Sequence, residues 1–103
     1  LNTYGHISNW DVSQVTDFSS LFESTSFNSD IGNWDVSSGT NFASMFNRAE
    51  SFNQDISGWD VSNGTDFSNM FNIAVSFNQN IGSWDVSSVT NMQWMFSSVD
   101  ANA

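Results

Sequence analysis

Cysteine is absent from the 103-residue chain, so neither a disulfide framework nor a thiolate metal site can form. Basic residues are almost as scarce. Arg48 is the single lysine or arginine, there are eleven acidic residues, and the net charge is -10 at pH 7. A surface of this sign repels phosphate backbones and anionic headgroups, so we expect no nucleic acid as a partner. Apolar runs of two or three residues fall far below the ~20 that a spanning helix requires. We therefore expect no direct membrane insertion.

A repeat of about 25 residues organises the sequence, since four Trp-Asp-Val-Ser segments recur at spacings of 24, 25 and 25 residues. Counted from isoleucine to isoleucine, the repeats are residues 7–30, 31–55, 56–80 and 81–103, the last incomplete. We expect one domain over residues 1–103. Because the pattern breaks at both ends of the sequence, we also expect a fragment of a longer array, with any targeting segment outside it.

Each repeat contains a segment typical of a short strand. Trp34 and Val36 are apolar and alternate with Asp35 and Ser37, which is the period of a strand with one buried and one solvated face. We therefore expect one strand per repeat.

A second segment of each repeat predicts a short helix. Phe42, Met45, Phe46 and Ala49 fall at positions i, i+3, i+4 and i+7, the spacing of one apolar helix face. The threonine and Asn or Asp just before this segment are candidate N-caps, because a side-chain oxygen there can accept first-turn N–H groups.

Together these segments predict an α/β repeat solenoid, a leucine-rich-repeat-like stack of four units that each contain a strand and a short helix. Stacking at a strand spacing of ~4.8 Å would close a shared core that no single repeat can form. The alternative is a β-helix, because 25 residues also suffice for a triangular coil of three strands. The helical spacing of the apolar residues favours the first architecture.

The run at residues 52–96, from FNQDISGWDVS to TNMQWMF, closely resembles the 25-residue repeat of BspA-like surface proteins, long a domain of unknown function. The resemblance covers nearly the whole chain. It implies a leucine-rich-repeat-like fold and a cell-surface or secreted location, and some relatives are implicated in adhesion. No set of functional residues defines the family, so it assigns no catalytic residue to this chain.

An aspartate and a serine of each repeat should project from the exposed strand face, and we treat this column as the candidate binding face. Its members are Asp11, Asp35, Asp60 and Asp85, with Ser13, Ser37, Ser62 and Ser87. Calcium is a candidate ligand of the four aspartates, because hard cations favour clustered carboxylate and hydroxyl oxygens. The alternative is that each aspartate bonds neighbouring Ser hydroxyls or backbone N–H groups and is otherwise solvated. No other cofactor is indicated.

Two further features have alternative interpretations. Asn63 begins the only N-x-[S/T] sequon and is a candidate glycosylation site in a eukaryotic secretory host. The recurring threonines resemble the hydroxyl arrays of ice-binding solenoids, but one threonine per repeat is more simply a cap. These threonines are Thr16, Thr40, Thr65 and Thr90.

We do not expect an enzyme, because catalysis needs a convergent set of side chains and this chain repeats the same residues, with one histidine. The leading hypothesis is an extracellular cell-surface module that binds surface proteins or glycans. The alternative is a structural building block that self-associates into an extracellular filament or coat. Ice binding is a third hypothesis.

Overall fold

A computed structural model describes residues 6–97. The four repeats form four coils stacked on one another, here coil 1 (residues 7–30), coil 2 (31–55), coil 3 (56–80) and coil 4 (81–97). Isolated parallel bridges at one position of each repeat mark the register, and they pair Asp17 with Asn41, Asn41 with Asp66, and Asp66 with Asn91. Parts of the predicted domain at residues 1–5 and of the predicted fourth repeat at residues 98–103 lie outside the described residues.

Regular secondary structure is scarce in this stack. Over the described range the one helix is a single 3₁₀ turn at Ile7–Asn9, and β-type pairing is limited to the isolated bridges. The predicted α/β solenoid of strand-plus-helix units is therefore wrong. The β-helix alternative is wrong as well, because the coils contain no strands that could form its sheets.

Residues 42–49 show why the helix prediction fails. Phe42, Met45, Phe46 and Ala49 are all fully buried, so the apolar spacing identified the inward-facing side chains. The backbone instead forms a run of turns, with left-handed φ values of 60° at both Ser44 and Arg48. No helix continues through such residues, and the serines and asparagines of this segment have little helix propensity to oppose the turns.

Neighbouring coils take the hydrogen bonds that a helix would need. The N–H groups of Phe42, Ser44, Phe46 and Arg48 donate to carbonyls of coil 3 at 2.8–2.9 Å. Of the intervening N–H groups, those of Met45 and Asn47 donate three residues back at 3.3 and 3.1 Å, and that of Ala43 donates to the Asn41 side-chain carbonyl at 2.9 Å. Alternate residues thus join coil to coil, and the same pattern recurs in coils 1 and 3. These bonds offset the cost of left-handed backbone at non-glycine residues.

The predicted strand fails for a different reason. Trp34 and Val36 are buried and Asp35 is exposed, as alternation requires. However, the N–H of Trp34 donates to Ile31 of its own coil at 3.1 Å, and the N–H of Ser37 donates to the Asp35 carboxylate at 3.0 Å. Local turns on both sides therefore use N–H groups that a strand would have offered to its neighbour.

Columns of aromatic rings fill the core between the coils. Phe42 stacks between Phe18 and Phe67 with ring centroids 5.4 and 5.2 Å away, and the planes are within 7° of parallel. Phe46 likewise lies between Phe22 and Phe71, at 5.7 and 5.6 Å. Each repeat thus buries its rings against the equivalent rings of its neighbours, so a single coil could not form this core.

Side chains also connect the coils. The indole N–H groups of Trp34, Trp59 and Trp84 donate to an isoleucine carbonyl of the preceding coil at 2.9–3.1 Å. At another corner, the side-chain carbonyl of Asn53 accepts the N–H of Asn78 at 2.9 Å. Throughout residues 6–97, every buried side-chain nitrogen or oxygen has a hydrogen-bond partner.

Candidate functional site

The predicted binding face forms a column, here called the Asp–Ser column, with one Asp-x-Ser turn in each coil. In coil 2 the Oδ1 atom of Asp35 accepts the N–H of Ser37 at 3.0 Å and its hydroxyl at 2.5 Å. Coils 1 and 3 repeat both bonds within 0.1 Å, and in coil 4 the N–H bond of Ser87 to Asp85 is kept at 3.0 Å. The sequence fixes these turns locally, since an Asx turn needs only an acceptor two residues before the donor.

These turns orient the carboxylates. The four aspartates are exposed, and each uses Oδ1 for its turn while Oδ2 makes no hydrogen bond within the described part of the chain. The serines of the first three turns are half-buried, and Ser87 is exposed. The structure therefore brings the predicted residues together as a row of held carboxylates, each with one oxygen available to a ligand.

The hydrogen bonds lower the pKa of each aspartate in the column below the ordinary value of 3.8, the Ser hydroxyl being the largest cause and the Ser N–H the next. For Asp35, the negative charges of Asp11 and Asp60 on either side raise the pKa in part. The neighbouring carboxylates are thus close enough to repel one another, yet the turns keep them ionised. The column is a line of negative charge at neutral pH.

The column does not gather its carboxylates into a metal-binding cluster. Between residues 6 and 97, no three or more His, Asp or Glu side chains come together as ligands for one ion. The aspartates are spread one per coil, whereas calcium is held by six to eight oxygens at 2.3–2.6 Å. The arrangement suits an extended ligand that crosses several coils better than a single ion.

The other predicted positions are tied to neighbouring coils. Asn63 is exposed, but its amide nitrogen donates to the Ser37 carbonyl at 2.8 Å. The exposed threonine column does the same, because the hydroxyls of Thr40, Thr65 and Thr90 each donate to the preceding threonine carbonyl at 3.1–3.3 Å. These hydroxyls are therefore not free donors along a flat array.

The Asx turn is used at three places in each of coils 1 to 3, and sequence reasoning missed that the three share one geometry. Besides the Asp–Ser column, Asp66 accepts the N–H of Ser68 at 2.9 Å at the bridge position, and Asp55 accepts the N–H of Ser57 at 2.9 Å. The signal was present, since Asp-x-Ser occurs at each of these sites. Reading the second set as helix caps and the first as strand residues concealed the shared geometry.

Sequence reasoning also missed the two ends of the stack, where coils 1 and 4 expose side chains that the inner coils bury. Leu21 is 48% exposed in coil 1 and Met92 is 43% exposed in coil 4. The equivalent positions in coils 2 and 3 are fully buried.

None of the described helices is long and apolar enough to span a membrane. Comparison with curated proteins found no match, and comparison with solved structures found none either. A family model does match, over residues 2–103, and its description is "Mycoplasma protein of unknown function, DUF285". That match spans almost the entire chain, including all four coils with their Asp–Ser turns. The chain therefore belongs to the DUF285 family.

Proposed function

We propose that this chain is a non-catalytic, extracellular cell-surface module of the BspA-like type, and that its Asp–Ser column binds a basic segment of another surface protein. The location and the BspA-like affiliation rest on the resemblance of the repeat, with which membership of DUF285 is compatible. The binding role rests on the column itself.

The observation that carries the proposal is the fixed orientation of the carboxylates. Asp11, Asp35 and Asp60 are each held by two hydrogen bonds from one serine. A ligand then meets charges whose side chains lose little freedom on binding. One carboxylate per coil at a regular interval matches an extended peptide with recurring lysine or arginine side chains.

The charge of the chain also favours one of the two ligand classes, protein segments and glycans, over the other. A net charge of -10 with a single base attracts cationic protein segments and repels sulfated or carboxylated glycans. A basic protein segment is therefore the better match, and an uncharged glycan is the second class to be measured.

The test compares binding of a lysine-rich extended peptide, a glutamate-rich peptide of equal length and a panel of neutral glycans by surface plasmon resonance. We expect the lysine-rich peptide alone to bind, with an affinity that falls as salt rises. A double variant, Asp35→Asn with Asp60→Asn, keeps the turn acceptors and removes two charges. With two exposed ion pairs lost, the double variant should weaken binding by roughly two- to thirtyfold.

Asp55→Asn is the matched control, because it makes the same change of charge in an Asx turn outside the column. It should leave most of the affinity intact. Equal losses of affinity in Asp55→Asn and in Asp35→Asn alone would mean that only net charge matters. Binding of neutral glycans alone would contradict the proposal.

A further inference from the structure

We propose that Asn63 is a site of spontaneous deamidation, which the folded chain suppresses and which local opening of coil 3 releases. The reaction therefore marks chains whose coil 3 has opened. It needs no enzyme and is independent of the Asp–Ser column. The groups that react are the side-chain amide of Asn63 and the backbone nitrogen of Gly64.

Asn63 and Gly64 form the single Asn-Gly pair of the sequence. An asparagine deamidates when the backbone nitrogen of the next residue attacks its side-chain carbonyl carbon, Cγ. Glycine favours this attack, because it has no Cβ atom to crowd the nitrogen and it leaves the backbone free to take the required conformation. Asn63 is also exposed, so water reaches it. The sequence thus places an asparagine in its most reactive setting at one position of coil 3.

The reaction has two steps. In the first, the Gly64 nitrogen loses its proton to a base in the solvent and bonds to the Cγ atom of Asn63, while the bond from Cγ to the amide nitrogen breaks. That amide nitrogen takes up a proton and leaves as ammonia, so a cyclic succinimide remains. In the second step, water adds to one of the two succinimide carbonyls. Opening one way gives aspartate at position 63, and opening the other way gives isoaspartate, in which the main chain runs through Cγ.

Both reacting groups are held by hydrogen bonds in the folded chain. The N–H of Gly64 donates to the Val61 carbonyl at 2.8 Å, which closes a turn over residues 61–64. The amide nitrogen of Asn63 donates to the Ser37 carbonyl of coil 2 at 2.8 Å. The first bond retains the proton that Gly64 must lose, and the second holds the amide group that must leave as ammonia. Deamidation therefore requires coil 3 to open locally at this turn.

The fold also requires the glycine that makes Asn63 reactive. Gly64 is buried, and a Cβ atom there would lie 2.6 Å from the Cζ atom of Phe67 and 3.0 Å from the Val61 carbonyl oxygen. A larger residue, which would slow the attack, therefore does not fit. Coil 2 has the same turn with Ser38 before its glycine, so the turn itself does not require asparagine. The reactive pair is thus particular to coil 3.

Either product fits the folded turn less well than asparagine does. A carboxylate cannot donate to the Ser37 carbonyl, so it places a negative charge against a hydrogen-bond acceptor. Isoaspartate in addition lengthens the main chain by one carbon inside the turn that sets Gly64 against the Phe67 ring. Because the ammonia is lost to solvent, refolding does not reverse the change.

The first experiment compares deamidation of the folded chain with that of the chain unfolded in urea, at the same pH and temperature. Mass spectrometry of proteolytic fragments identifies which asparagine has reacted. In urea we expect Asn63 to react before any other asparagine. In the folded chain we expect its rate to be lower by at least about fivefold, the low end for two hydrogen bonds that must break. Equal rates in the two states, or another asparagine reacting first in urea, would overturn the inference.

Two variants test whether the turn provides the protection. Asn63→Ser gives coil 3 the residue that coil 2 has at Ser38, and it should remove the early reaction in urea. Ser38→Asn adds a second Asn-Gly pair in coil 2, where the N–H of Gly39 donates to the Val36 carbonyl at 2.8 Å. The added pair should react as fast as Asn63 in urea and be slowed to a similar degree by folding. A fast reaction of the added pair in the folded chain would mean that the turn does not protect Asn63.

The last experiment measures what the reaction does to the fold. Chains aged in urea are returned to buffer, and ion exchange separates the modified fraction by its added negative charge. We expect this fraction to unfold at a lower urea concentration than the unmodified chain. Asn63→Asp reproduces one product and should unfold at a lower urea concentration than Asn63→Ser, which loses the same donor without gaining a charge. A modified fraction as stable as the unmodified chain would contradict the claim that the products fit the turn less well.

Discussion

At the scale of single residues, left-handed backbone is the most unusual feature of the stack. Among residues 6–97, seven non-glycine residues have positive φ, including Ile73 at 59°, a conformation that β-branched side chains rarely adopt. All but Trp94 of coil 4 donate their N–H group to the next coil, and the N–H of Ile73 donates to Ser97 at 2.8 Å. The bonds between coils require this backbone, whatever residue the repeat places there.

Glycine at such a position should stabilise the chain. Ser20 is exposed, has φ of 58°, and its hydroxyl makes no hydrogen bond with any residue in the described part of the chain. Ser20→Gly removes about 1–2 kcal/mol of backbone strain from the folded state. It also makes folding costlier by about 0.5–1 kcal/mol, because glycine has more conformational freedom to lose. We expect the free energy of unfolding in urea to rise by roughly 0.5–1 kcal/mol.

The matched control is Ser76→Gly, at an exposed residue that lacks a positive φ. Only the entropic cost applies there, so this variant should lose about 0.5–1 kcal/mol. Equal losses in the two variants would show that Ser20 does not have left-handed backbone.

At a buried glycine we expect the opposite change in the free energy of unfolding. A Cβ atom at Gly39 would lie 2.5 Å from the Cζ atom of Phe42 and 3.0 Å from the Val36 carbonyl oxygen. The Phe42 ring stacks between Phe18 and Phe67, so relieving the contact would disturb this stack, and Gly39→Ala should cost about 1–3 kcal/mol in urea unfolding.

Gly58 provides the comparison for Gly39, because a Cβ atom there meets nothing within 4 Å. Gly58→Ala should therefore raise the free energy of unfolding by about 0.4–1 kcal/mol through the unfolded state. Tolerance of alanine at both positions would contradict the placement of the Phe42 ring.

At the scale of elements, the recurring unit of this fold is the Asx turn, and the ionisation of its carboxylate can be measured. The Ser37 hydroxyl is the largest cause that lowers the pKa of Asp35, ahead of the Ser37 N–H. Ser37→Ala should therefore raise the pKa of Asp35, while the Ser37 N–H bond that remains continues to lower it. Carboxyl carbon shifts in an NMR titration measure this, with Ser38→Ala as the control. An unchanged Asp35 pKa would contradict the turn geometry.

The same turn predicts how stability depends on acid. The folded-state pKa of Asp35 lies below the ordinary value of 3.8, so its stabilising contribution is present above that pH and is lost as pH falls through the folded-state pKa. Ser37→Ala should therefore destabilise the chain at pH 7, and the difference from the unmodified chain should shrink in acid. Urea unfolding at pH 7 and at a pH below 3.8 tests this. A difference that grows in acid would mean that the serine does not act through the carboxylate.

At the scale of the whole molecule, hydrophobic spacing predicted the core but not the backbone. Phe42, Met45 and Phe46 were expected to face inward, and they are fully buried. The spacing of apolar residues determines which side chains face inward. The backbone conformation depends instead on which carbonyl accepts each N–H group. For Phe46 the acceptor is Met70 of the next coil, and a pattern within one repeat does not contain this choice.

The candidate site was predictable to a greater extent, because its geometry is local. The spacing of Asp35 and Ser37 is enough to form the turn, and the repeat places the turns in a column. The bonds between coils were not predictable, since the predicted helices would have satisfied the same N–H groups internally.

The most direct test of the stack is a measurement of NMR couplings across its hydrogen bonds, which identify the carbonyl that accepts each N–H. The account predicts that the N–H of Phe46 couples to the carbonyl carbon of Met70, and the N–H of Phe42 to that of Asp66. A coupling from the N–H of Phe46 to the carbonyl of Phe42, four residues back in the same repeat, would show an α-helix and contradict it.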